Sequence, residues 1–100
     1  MGRTLSHRKL IVEKWLKGLE YSEIARHTNH SIDAISNYIN KFKQVVVLYL
    51  DEYDVNNIAF IIKISGKLVQ IYIDLWIKLD AVSHRKTELE TFLLKKNNQN

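Results

Sequence analysis

The chain has no cysteine, no proline and only 3 glycines in 100 residues. Without cysteine there can be no disulfide, thiol nucleophile or cysteine-ligated zinc or iron–sulfur centre, and the chain is compatible with a reducing compartment. With so few backbone breakers, helices joined by short polar turns are favoured over an all-β plan. A Gly-rich phosphate loop, a nucleophile elbow and a paired-carboxylate arrangement are also missing from the sequence, so no enzyme and no cofactor is expected. Long apolar runs are missing too. The aliphatic stretch Ile58–Ile77 is interrupted by Lys63, Gly66, Lys67 and Asp74, which argues against a membrane span. No apolar run of the secretory type follows Arg3, Arg8 and Lys9. Met1–Ser6 and Asn29–Ser31 fit loose myristoylation and glycosylation patterns that are short enough to arise by chance.

What is present is apolar material, 46% of the residues, enough for a helical core in one small domain or two very small ones sharing a core. The expected fold is all-α. The net charge of +4 is unevenly spread: residues 1–17 carry Arg3, Arg8, Lys9, Lys14 and Lys17 against Glu13 alone, whereas Leu50–Lys63 contains Asp51, Glu52 and Asp54. The basic end suits an anionic polymer, and the acidic stretch does not.

The segment Tyr21–Ile39 organises the reading. Ile24, Ala25, Ile32, Ile35, Tyr38 and Ile39 follow helical spacing in two halves, interrupted at Asn29-His30-Ser31. Small Ala25 fits where two steeply crossed helices come closest. Asn29 stands where the turn needs a left-handed backbone, which Asn tolerates better than most residues. Ser31 is suited to cap the second helix and Ser22 the first, with Glu23 favouring the positive end of the first.

With these residues in place, Tyr21–Ile39 resembles the helix-turn-helix of sigma-factor-like, transposase-like and homeodomain-like prokaryotic proteins. It departs from them in having Asn29 for the commoner Gly of the turn and Tyr38 for a usual Ile or Val. Leu19–Ile39 together with Ile58–Tyr72 is similar to an uncharacterised prokaryotic family with two such motifs in series. The resemblance implies a sequence-specific binder of double-stranded DNA, a transcriptional regulator working in the cytoplasm at the nucleoid.

Along the chain, an offset of 34 pairs Leu16 with Leu50, Ile24 with Ile58, Ala25 with Ala59, Ser31 with Ser65, Tyr38 with Tyr72 and Ile39 with Ile73. It also pairs Ser6 with Asn40 as potential N-caps. The spacing predicts two tandem three-helix helix-turn-helix units plus a C-terminal helix, with helices over 6–17, 22–28, 32–40, 42–51, 55–62 and 66–79. The first unit, the DNA-reading one, spans 1–44, the more apolar second unit 45–80, and the C-terminal helix with its frayed tail 81–100. A period of 34 also belongs to tetratricopeptide repeats, which bind proteins, but only two copies exist here and the second helix of each is short.

In such a motif the N-terminal, outward residues of the second helix meet base edges: Ser31, Ile32, Ser36, Asn37 and Asn40, with Asn37 suited to a two-point contact with adenine and Ile32 to a thymine methyl. Asp33 is awkward beside phosphates unless it accepts from a cytosine amine. Arg26, Thr28, Lys41, Lys43, Arg8 and Lys9 are the expected phosphate contacts. About four neutralised phosphates would give a salt slope of roughly −3.6.

The second unit reads as a degraded copy, with Lys63 in the turn position of Asn29 and with Phe60, Ile61, Ile64 and Ile71 apolar where the first copy is polar. A homodimer interface is expected from these residues with Leu75, Leu79, Leu89 and Leu93. The stripe Leu75, Leu79, Val82, Leu89 and Leu93, broken at Lys86, is heptad-like; it can dock on the chain's own core, pair with a twin or begin a longer protein. No metal site and no small-molecule ligand is expected. Glu23, His27 and His30 would need a convergent geometry that the turn disfavours, and His7 and His84 read as surface residues. Two rivals remain on the same fold: a protein-interaction module, and the DNA-targeting part of a transposase or recombinase.

Overall fold

A computed structural model describes the backbone of residues 2–79 and of Thr91, and the side chains of 7–78 and Thr91. Among the described residues there are five helices and no strand: α1 Gly2–Leu16, α2 Tyr21–Thr28, α3 Ile32–Leu50, α4 Val55–Ile62 and α5 Gly66–Leu79. The expected C-terminal helix over 81–100, with the polar tail, lies outside the described residues. No helix among them is long and apolar enough to cross a membrane.

The centre of the fold is α3, against which α1, α2, α4 and α5 all pack. Its buried residues Ile35, Ile39, Phe42, Val45 and Val46 continue one helical period without interruption. The helices expected over 32–40 and 42–51 are therefore one helix. Asn40, expected as an N-cap, is an exposed interior residue of it, and Ser6 likewise falls inside α1. Local propensity loses here because an interior Asn costs only about 0.7 kcal/mol, less than the burial of one large aliphatic side chain, about 1.5–3 kcal/mol.

The helix ends obey local chemistry. α1 stops at Gly18, φ 104°, whose N–H donates to the Trp15 carbonyl at 2.9 Å. α2 begins one residue before Ser22: Glu20 holds the N-cap position and its N–H donates to the Glu23 carboxylate at 2.9 Å. Starting there lets Tyr21 pack against the core. Asn29 ends α2 in the left-handed region (φ 58°, ψ 43°), and Ser31 Oγ accepts from Ala34 N–H at 3.1 Å to start α3. The same sequence of events recurs 34 residues later. Lys63 takes φ 66°, ψ 46°, Ile64 N–H donates to the Ala59 carbonyl as His30 does to Ala25, and Ser65 Oγ accepts from Leu68 N–H at 3.1 Å. Asp54, accepting from Asn57 N–H at 2.8 Å, caps α4.

The core joins both halves of the chain. Phe42 is fully buried between Trp15 of α1 and Tyr72 of α5, edge to face with each at centroid distances of 6.3 and 5.5 Å. Ile11, Val12, Ile24, Ile35, Ile39, Ile58, Leu68 and Val69 complete it.

Phe42→Ala should therefore cost about 3–5 kcal/mol, a large part of the roughly 5–15 kcal/mol available to a domain, read as a lower urea midpoint. Asn40→Ala should leave that midpoint unchanged or raise it by a few tenths of a kcal/mol. A loss near 1 kcal/mol would instead mean that Asn40 caps a separate helix.

Candidate nucleic-acid interface

The N-terminal half of α3 divides cleanly by face. Ile35 and Ile39 are buried, and Ser31, Ile32, Asp33, Asn37 and Asn40 are exposed, with Ser36 half-buried between them. Spacing of three and four places Asp33, Ser36, Asn37 and Asn40 on one contiguous ridge. Ile32, 52% exposed, stands at the helix start. The five residues expected to read bases thus share one accessible end of one helix, with Asp33 among them.

The expected phosphate contacts are placed less uniformly. Arg26 is exposed on α2. Thr28 donates its hydroxyl to the Ile24 carbonyl at 2.7 Å, a bond within its own helix. Lys41 Nζ donates to the Ile62 carbonyl at 3.0 Å and so holds the C-terminal end of α4 against α3. Lys43 Nζ lies 5.1 Å from the centre of the Trp15 ring, and the Arg8 guanidinium 5.1 Å from that of Tyr38. Lys9 is exposed at the seam of α1 and α5, where it borders a shallow cavity of about 210 Å³ with Ile71, Asp74, Leu75 and Lys78. Besides Thr28, three of the five cations, Arg8, Lys41 and Lys43, therefore already have work inside the fold. The sequence held no signal of this, because a cation's aromatic or carbonyl partner sits on another element.

One cluster was missed at the sequence level. His7, expected at the surface, is half-buried, with its ring 4.6 Å from that of His30 and edge to face with it; His30 in turn lies 5.9 Å from Tyr38. His7 Nε2 and Arg8 Nε are enclosed without a hydrogen-bond partner. α1 thus braces the turn that launches α3. Among the described residues no three His, Asp or Glu side chains are grouped to hold a metal ion.

Of the apolar residues expected at an interface, Phe60 is 83% exposed and Ile61 48%. Leu75 is buried in the chain's own core, and Ile64 and Ile71 are half-buried against it, so they have little surface left to offer. The side chains of Leu79, Leu89 and Leu93 lie outside the described residues. Beside Ile61, a groove of about 310 Å³ between α3 and α4 is lined by Gln44, Val47, Leu48 and Ile62.

These features define a small all-α protein arranged around one central helix, whose N-terminal half presents a polar ridge. Residues 1–75 match the family described as "Protein of unknown function (DUF1670)", and the chain belongs to that family. The family description names neither a helix-turn-helix class nor an activity. No curated protein and no solved structure matches the chain.

Against Phe42, Tyr72 of α5 is buried, and its hydroxyl is pushed up from 10 to about 12, chiefly by loss of solvation; Arg8 opposes the shift and Tyr38 adds to it. The unfolded chain gives up this proton from about pH 10, whereas the native state keeps it to about pH 12. In that window the native state binds more protons, so stability falls as pH rises, by about 2 kcal/mol at pH 12, and is unaffected below pH 10. Tyr72→Phe should flatten this alkaline decline in urea titrations. An unchanged decline would place its origin elsewhere.

Proposed function

We propose that the protein is a sequence-specific double-stranded DNA-binding regulator, built as two helix-turn-helix units that share α3. The N-terminal half of α3 is the reading helix. What carries this reading is the exposed polar ridge Ser31–Asn40 at the start of a helix that follows a short helix and a left-handed turn. That ridge has the dimensions and chemistry of a major-groove probe: Asn37 and Asn40 for base edges, Ser36 for several bases, Ile32 for a thymine methyl. Arg26 on the preceding helix is free of a structural role among the described contacts and serves a flanking phosphate. The site is a cytoplasmic one, at the nucleoid, and needs no cofactor.

A single reading helix binds weakly, and dimerisation is the usual remedy. Phe60 and Ile61, exposed on α4 beside the α3–α4 groove, are the face we assign to a twin chain. The same exposure supports the rival reading, a protein-interaction module in which that face holds a different polypeptide. Targeting of a transposase or recombinase uses the same DNA contacts and differs only in what else is attached.

Selection of sites from a randomised duplex, followed by fluorescence anisotropy at several salt concentrations, tests the proposal. Asn37→Ala should lose about 1–3 kcal/mol on the selected site and relax preference at one base pair, while Arg26→Gln should weaken all duplexes alike and reduce the salt slope by about 0.9. Lys41→Ala is a poorer probe, because it also removes the hydrogen bond to Ile62. Absence of any salt-dependent binding to duplex DNA overturns the proposal in favour of the protein-interaction reading.

A further inference from the structure

The turn between α4 and α5 repeats the turn between α2 and α3, with one chemical difference. Where the first has Asn29 in the left-handed region, the second has Lys63, at φ 66°. Gly adopts that conformation freely and Asn tolerates it, whereas Lys has neither advantage. A cation at a helix C-terminus is favoured by the helix dipole, but at α4 that need is already met: Lys41 Nζ donates to the Ile62 carbonyl at 3.0 Å. Lys63 is exposed, and so is Lys67 in the first turn of α5. Lys41 thus touches the C-terminal end of α4, Lys63 is the residue that ends that helix and Lys67 follows in the first turn of α5, whereas the exposed Asp51, Glu52 and Asp54 precede α4. An anion meeting this end of α4 finds exposed lysines, and the carboxylates lie at the other end.

The place of these lysines in the fold says which anion. Lys41 follows Asn37 by one turn on the same stripe of α3, a rise of about 6 Å. The end of α4 that Lys41 holds, and the turn that follows it, therefore border the polar ridge. A phosphodiester strand flanking a groove occupied by that ridge runs beside it, and phosphate contacts of this kind fix orientation. The acidic residues stand at the far end of α4, away from such a strand.

We infer that Lys63 and Lys67 form a second phosphate clamp, so that the turn of the second unit grips the DNA backbone while the first unit reads the bases. The inference rests on the proposed DNA reading by α3. It also assigns the second unit a DNA-facing edge, although its sequence, apolar at Phe60, Ile61 and Ile64, points away from DNA.

The test is fluorescence anisotropy with a short randomised duplex over a range of salt concentrations, using the full chain as wild type, Lys63→Gly, Lys67→Gln and the double variant, with a thermal melt of each. Lys63→Gly should melt at the same or a higher temperature, because Gly relieves the left-handed backbone, and yet bind more weakly. The double variant should reduce the magnitude of the salt slope by about 1.8, while keeping the base preference conferred by Asn37. A double variant that melts at or above the wild-type temperature and has the wild-type slope overturns the clamp while leaving the DNA reading intact. Failure of the wild type to bind duplex at all removes both.

Discussion

Phe42 is the point on which the structure turns. It lies in the middle of α3, and the two rings it meets, Trp15 and Tyr72, come from opposite ends of the described chain. Burying these three rings together forces α1 and α5 onto the same central helix, and α2 and α4 fill the remaining sides. Because both halves bury their apolar faces on one continuous helix, neither half has a complete core of its own. A 19-residue α3 is thus a consequence of the core and not of a helix propensity that would have carried it through Asn40 unaided.

The same sharing explains how the cations are divided. A helix surrounded on most sides has little free circumference, so long basic side chains near its middle lie along neighbouring elements. Lys41 reaches the end of α4 and Lys43 the Trp15 ring, while Arg8 of α1 reaches Tyr38. Their aliphatic stems cover apolar surface while the charged heads find a carbonyl or a ring face. The N-terminal half of α3 keeps one face outside this shell, and there the exposed side chains are mostly polar. The exposed ridge and the buried core are two outcomes of one packing constraint, and the proposed reading of DNA draws on the first.

Legibility in the sequence followed the range of the interaction. The two turns were legible because each is fixed within a few residues: a left-handed residue, then a serine cap, repeated at an offset of 34. Asn29 and Ser31 announced the first, and the repeat carried the assignment to Lys63 and Ser65. The start of α2 lies at Glu20 because Glu20 and Glu23 cap it reciprocally and Tyr21 then packs, half-buried, against the core. The ridge was legible as well, since apolar Ile35 and Ile39 leave Ser36, Asn37 and Asn40 on the other side by periodicity alone. The surface assigned to a partner was less so. Leu75, Ile64 and Ile71 are turned inward by contacts that no local pattern encodes, and Phe60 and Ile61 remain outside.

The amino-acid sequence by itself determined that the chain is helical, where its turns fall and which face of the N-terminal half of α3 is polar. Each of these is set by backbone conformation, capping hydrogen bonds and apolar period within about ten residues. Only the tertiary structure decided that one helix serves both halves, that Lys41 and Lys43 are committed to neighbouring elements, and that His7 braces the turn before α3. Those outcomes depend on which distant surfaces meet, and the energy that selects them is burial summed over the whole core.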